Sequence, residues 1–192
     1  MLAAKEDSIR GERRYILTGL AASLAGMPLT SILADPVLAR AAAQKLERVT
    51  LRLESGRKVA AFLAVPDQTP APVVKLFHKR WGLNDQIKTI AREFAREGFV
   101  ALAVNLMDGK TATRRNDAKR LLGRVSRMET LRLSGKWLRW LREPSETTKR
   151  LASVGWRFGG GWALGAVMVE PVEATVVYWR PRQSSDRRTE TP

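Results

Sequence analysis

Leu151-Ala152-Ser153-Val154-Gly155-Trp156-Arg157-Phe158-Gly159-Gly160-Gly161 is the stretch that decides the fold. Leu151 to Val154 reads as a short buried strand. A glycine-rich turn follows, and a helix is predicted from Gly160 to about Val169. Strand, Gly-x-X-x-Gly and helix together make the frame of a nucleophile elbow. That frame has physical requirements. Its central residue sits on a strained strand-to-helix turn, so its neighbours must be small. The helix behind it offers backbone N–H groups and the positive end of its dipole to a developing oxyanion. Gly155 and Gly159 have the required spacing, and the residue between them is Arg157.

Outward from the elbow, strand and helix patterns alternate. Arg48 to Leu53 alternates polar and apolar residues, Glu54 to Arg57 is a turn, and Val59 to Val65 completes a hairpin. Val73 to Phe77 is a short apolar run interrupted by Lys75. Asn84 is placed to cap a helix reaching about Glu97, with Ile87, Ile90, Ala91, Phe94 and Ala95 on one face and Gly98 as its stop. Phe99 to Val104 is a further buried strand, and helices are expected around 116–125 and 129–141. Ala174 to Tyr178 is the last strand. The alternation predicts an α/β fold: a mostly parallel sheet with helices on both faces, preceded by a β-hairpin. Two liabilities accompany it. Lys75 would place an ammonium in a strand covered on both sides, which is costly without a partner. The last strand would leave an open, apolar sheet edge.

The 192 residues suit about one domain, and 44% hydrophobic with 28% charged residues is ordinary globular composition. The sequence has no cysteine, so it can form neither a disulfide nor a thiolate nucleophile. Its one histidine is His78. Lys plus Arg total 34 against 19 Asp plus Glu, a net charge of +15. Such an excess attracts polyanions. The basic residues are, however, spread over every segment, a pattern expected to give weak non-specific attraction and no specific nucleic-acid site. Residues 1–43 read as a twin-arginine export signal: Arg13-Arg14 precede an apolar stretch from Tyr15 to Leu33, followed by small-x-small patterns at Ala39-Arg40-Ala41 and Ala41-Ala42-Ala43. Export to the periplasm or beyond is therefore expected, without stable membrane anchoring. Residues 179–192 hold almost nothing to bury and are expected to be a disordered tail.

Ala71 to Lys88, containing His78-Lys79-Arg80-Trp81-Gly82-Leu83-Asn84, resembles the segment after the third strand in the dienelactone hydrolase (carboxymethylenebutenolidase) family, which typically reads His-Glu-x-x-Gly-Leu-Asn. Ala91 to Ala103 is similar to that family's next helix and strand, and Asp108-Gly109-Lys110 to the loop beyond. Val154 to Trp162 resembles its Gly-x-Cys-x-Gly-Gly elbow. The resemblance covers residues 46–178 and implies a partial α/β-hydrolase domain, a small ester or lactone substrate and no cofactor. It also implies site roles, and the departures fall on them. Arg157 stands where the family has its nucleophilic cysteine, and Lys79 where it has a glutamate beside the thiol. Asn105 stands where related sequences often carry aspartate. The backbone N–H groups of Phe158 and Arg80 match the oxyanion donors. The family's catalytic aspartate and histidine belong beyond the part of the fold found here.

A guanidinium has no lone pair to offer a carbonyl carbon, so Arg157 cannot replace the cysteine in acyl transfer. The expectation is a hydrolase scaffold inactive in this form. Two other readings stay open: a cationic binding module, motivated by the +15 charge, and a pseudoenzyme that binds carboxylates through Arg157. His78 is expected to be structural, since the family's catalytic histidine comes later in the order. Trp137, Leu138, Trp140 and Leu141 are expected to form a core face. Asp85, Asp108 and Asp117 match no metal-binding spacing. Oligomeric state is not legible.

Overall fold

The computed structural model describes residues 46–54 and 56–178. The expected signal segment and tail lie outside them. In chain order the elements are β1 (Glu47–Arg52), β2 (Lys58–Ala64), β3 (Ala71–Phe77), α1 (Asp85–Arg96), β4 (Val100–Val104), α2 (Arg115–Leu122), α3 (Arg127–Arg142), β5 (Thr147–Trp156), α4 (Phe158–Val167) and β6 (Ala174–Tyr178). The six strands form one sheet in the order β1-β2-β4-β3-β5-β6. β1 and β2 are an antiparallel hairpin, and β2 joins β4 antiparallel. The contacts β3–β4, β3–β5 and β5–β6 are parallel. The expected mostly parallel sheet with a preceding hairpin is present, with the hairpin built into the sheet.

Local chemistry sets the helix ends. Asn84 accepts from the N–H of Ile87 at 3.3 Å, Asp85 lies in the first turn, and Gly98 turns the chain out at φ +87°. Ser126 caps α3 by accepting from the N–H of Glu129 at 3.4 Å. α1 buries Ile87, Ala91 and Ala95 against Val74, Leu76 and Val154 on one face of the sheet. α3 and α4 bury Trp137, Leu138, Leu141, Ala163 and Ala166 against Val73, Phe77, Leu102 and Leu151 on the other. The tryptophan and leucine run of α3 is therefore a core face, as its spacing predicts.

Lys75 is where the fold places an expected liability, and the structure adds a partner. It is fully buried, yet its ammonium is not alone: Nζ donates to the backbone oxygen of Ser134 at 3.0 Å and lies 4.7 Å from the centre of the Phe77 ring. Period-2 alternation puts Lys75 beside Val73 and Phe77, facing α3, and the carbonyl it reaches is on that helix. No carboxylate accompanies it. Burial therefore pushes its pKa well below the usual lysine range.

The topology also positions the site. The chain leaves β3 towards α1 on one face and leaves β5 towards α4 on the other. These adjacent strands thus lead to opposite sides, and in open α/β sheets ligands bind in the crevice formed at such a switch.

Candidate active site

The loops at that switch are His78-Lys79-Arg80 after β3 and Arg157 after β5. The sequence suggests a glycine-rich turn before a helix starting at Gly160. In the structure β5 continues to Trp156, α4 begins at Phe158, and Arg157 alone joins them. The reason is steric. A Cβ on Gly155 would stand 2.1 Å from the backbone oxygen of Gly159, and one on Gly159 would stand 2.3 Å from that of Phe77. Strand and helix can touch only because both positions lack a Cβ, so the turn shrinks to one residue. Gly160 belongs to the same device, since a Cβ there would lie 2.7 Å from Cγ1 of Val177. The middle glycine of the run was legible in the sequence, but its strand partner was not.

Arg157 adopts φ 53° and ψ −106°, a conformation that side-chain-bearing residues rarely take. Its N–H donates to the carbonyl of Tyr178 at 2.9 Å, and its own carbonyl accepts from the N–H of Gly160 at 2.9 Å. The first bond ties the elbow to the end of β6, and the second opens the turn of α4. Trp156 and Tyr178 stack beside it with ring centroids 5.6 Å apart. The side chain of Arg157 is exposed at the carboxyl end of the sheet. Phe158 is the first residue of α4, so its N–H has no partner within the helix.

Lys79 comes close to this turn. Its Nζ donates to Oε1 of Gln86 at 3.0 Å. Burial lowers its pKa, and the positive charge of Arg157 lowers it further. The fold thus brings together the two positions singled out as substituted, and both are cationic. His78 is fully buried. Its Nδ1 lies 2.6 Å from the carbonyl of Lys79, and its Nε2 lies 3.2 Å from the N–H of Leu106. Nδ1 is therefore the donor and Nε2 the acceptor, so the ring is neutral with both nitrogens engaged. Burial pushes its pKa down to about 4. This histidine ties the loop after β3 to the loop after β4 and has no nitrogen left for a residue at position 157. Asn105 accepts from the N–H of Met107 at 2.9 Å and so shapes the second of those loops.

A strained one-residue elbow on a glycine frame, at a switch point, is one half of the case. The other is that residues 59–191 match the model of the dienelactone hydrolase family. The chain belongs to that family. It is 30% identical over 135 residues to a protein of Aquifex aeolicus named as a carboxymethylenebutenolidase, covering 66% of this chain and 58% of the relative. A counterpart in Saccharolobus solfataricus is 51% identical over 51 residues, 27% of this chain and 20% of that one. Among solved structures, m3DLH superposes with a TM-score of 0.60 at 25% identity, covering 73% of this chain and 63% of the other. A dienelactone hydrolase-like promiscuous phosphotriesterase from metagenomic libraries gives 0.61 at 22%, covering 74% and 63%, and supports the fold. The chain spans from a fifth to under two thirds of the length of these relatives.

Proposed function

We propose that this dienelactone hydrolase family member descends from enzymes of ester and lactone hydrolysis and is hydrolytically silent in this form. One observation carries the reading: Arg157 occupies the single-residue elbow at φ 53° and ψ −106°. A nucleophile belongs there, and a guanidinium cannot attack a carbonyl carbon. The engaged nitrogens of His78 agree, because no imidazole in the described chain is free to act as a base at the elbow. An exported location, supported by the Arg13-Arg14 motif, is part of the same proposal.

The test is turnover of a short aryl ester by the full chain against its Arg157→Ala variant. Equal, background rates are expected. Turnover by the unaltered chain well above the variant would sink the proposal. Arg157→Cys alone should restore little, since a thiol without a base at hand stays mostly protonated.

A second reading has its own observation. Arg157, Lys79 and the start of α4 bring positive potential to one place, with burial first and the charge of Arg157 second in lowering the pKa of Lys79. That arrangement suits a carboxylate. Small carboxylic acids should raise the melting temperature of the chain and leave Arg157→Ala unmoved. A general cationic module is the weaker alternative, and a shallow salt dependence of DNA binding would remove it.

A further inference from the structure

The sheet has two edges, and they are built differently. β1 pairs with β2 and exposes Glu47, Arg48 and Arg52. Charged side chains of that kind keep an edge strand from pairing with another chain. Among the described residues β6 pairs with β5 alone, and it reads Ala-Thr-Val-Val-Tyr, without a charge. Its own side chains do not guard its edge.

The ladder fixes which backbone groups that edge presents. Tyr178 is in register with Trp156, and its carbonyl accepts from the N–H of Arg157 at 2.9 Å. Backbone groups along a strand alternate between its two sides. Ala174, Val176 and Tyr178 therefore turn theirs to β5, and Thr175 and Val177 turn theirs to the free edge. The N–H of Glu173, one residue ahead of the strand, also reaches β5, at Leu151, and the alternation starts after it. Side chains alternate between the two faces. Thr175 lies 2.9 Å from the Ser153 hydroxyl and Val177 lies against Gly160, both on the α4 side. Val176 and Tyr178 are exposed on the other face.

A second apolar stripe overhangs the same edge. Because Gly160 meets Val177, the positions one and two turns further on, Leu164 and Val167, lie on the β6 side of α4. Both are exposed. The opposite side of α4 belongs to α3, since a Cβ on Gly165 would lie 2.8 Å from Leu131. In residues 180–192 every side chain is charged, polar or proline, so that stretch brings nothing apolar to lay on these surfaces. A second copy brings the same uncharged strand and the same stripe.

We propose that two copies of this chain join edge to edge through β6, antiparallel about a two-fold axis beside Val176, so that their sheets become one. In that register Thr175 of each copy faces Val177 of the other. These are the residues with outward N–H and C=O groups, and each such pair exchanges bonds in both directions. Val176 meets its own counterpart, and Ala174 lies across from Tyr178, small against large. An axis normal to the sheet keeps both α4 helices on one face. Strands stand about 4.8 Å apart, so the two helices stand about two to three spacings apart, ~10–14 Å. A helix with its side chains is about 10–12 Å across, so the two Leu164–Val167 stripes meet over the seam. Such an isologous contact closes on itself and covers both β6 edges. It is small for an interface, so its affinity is micromolar. The +15 charge on each copy opposes it, and salt relieves that opposition. The pairing does not rest on the reading of Arg157 and stands whether or not the chain hydrolyses esters.

The experiment is sedimentation velocity of the full chain from about 1 to about 200 μM, at about 50 and about 500 mM salt. A monomer–dimer equilibrium is expected, tighter at high salt, the reverse of what salt does to polyanion binding. Leu164→Lys and Val176→Lys, both at exposed side chains, should each weaken the dimer by about tenfold or more while leaving urea unfolding of the monomer in place. The chain has no cysteine, so Val176→Cys tests the register. At a non-hydrogen-bonded antiparallel pair the Cα atoms are about 4.5 Å apart, within disulfide reach, and mild oxidation should link the two copies. Lys119→Cys, at an exposed position on α2, should not link them. A chain that stays monomeric at the highest concentration and salt, open-ended polymers in place of a dimer, a dimer unweakened by both lysine substitutions, or equal linking by both cysteine substitutions would each overturn the proposal.

Discussion

Replacing Lys75 by methionine should make this protein more stable, and by an amount that depends on pH. The side chain is fully buried, with one backbone carbonyl and one aromatic ring as polar neighbours and no carboxylate. Folding must therefore strip its proton or bury its charge. Deprotonating an ammonium of ordinary pKa, about 10.4, at pH 7 costs about 5 kcal/mol at 1.36 kcal/mol per unit, which is the ceiling on the penalty. Methionine fills similar space without that cost, but forfeits the bond to Ser134, worth about 1 kcal/mol. A gain of about 1–3 kcal/mol at pH 7 follows once relaxation and residual hydration are allowed for.

The pH dependence supplies the sharper check. With the folded pKa depressed, the unfolded chain binds more protons at this position, so the stability of the unaltered protein rises with pH. The slope is at most about 1.4 kcal/mol per unit between the depressed folded pKa and the unfolded value near 10.4. The advantage of Lys75→Met should shrink accordingly as pH rises. Urea unfolding of both proteins from pH 7 to 10, followed by circular dichroism, measures the difference directly. A variant less stable than the parent at pH 7, with a gap constant across the series, would refute the reasoning and mean that Lys75 stabilises the fold in its charged form.

Gly159→Ala should be severely destabilising, by about 3 kcal/mol or more, because its Cβ would lie 2.3 Å and 2.6 Å from the backbone oxygens of Phe77 and His78. Gly161→Ala, with nothing within 4 Å of the new methyl, should instead gain about 0.5–1 kcal/mol as a helix substitution. The pair read in one unfolding assay tests the elbow packing, and similar effects at both positions would contradict it. Arg157→Gly should stabilise by about 1 kcal/mol, the relief of a strained backbone less the added freedom of glycine when unfolded; a loss of stability in urea titration would count against strain at that position. His78, as the one histidine, should give a single imidazole titration in NMR near pH 4. Its folded pKa lies below the unfolded value of about 6.5, so stability falls as pH drops from 6.5 towards 4, by about 3 kcal/mol in all. A midpoint near 6.5 would mean the ring is not buried as described.

The order of elements, the parallel core, the cap at Asn84 and the elbow frame were all legible from residue patterns. Each depends on local periodicity or on residue types with narrow backbone preferences, and such signals do not need the rest of the fold. Arg157 and Lys79 were likewise visible as departures from a family pattern, and the elbow marked where chemistry would have to sit.

Tertiary structure decided what those residues face. Only packing showed that the turn consists of Arg157 alone, because the clash partners of Gly155, Gly159 and Gly160 come from α4, the end of β3 and β6. Only packing gave Lys75 a carbonyl on α3, 59 residues away, and engaged both nitrogens of His78 across two loops. Periodicity fixes which side of an element a residue occupies, whereas long-range electrostatic and steric neighbours exist only once the elements have docked.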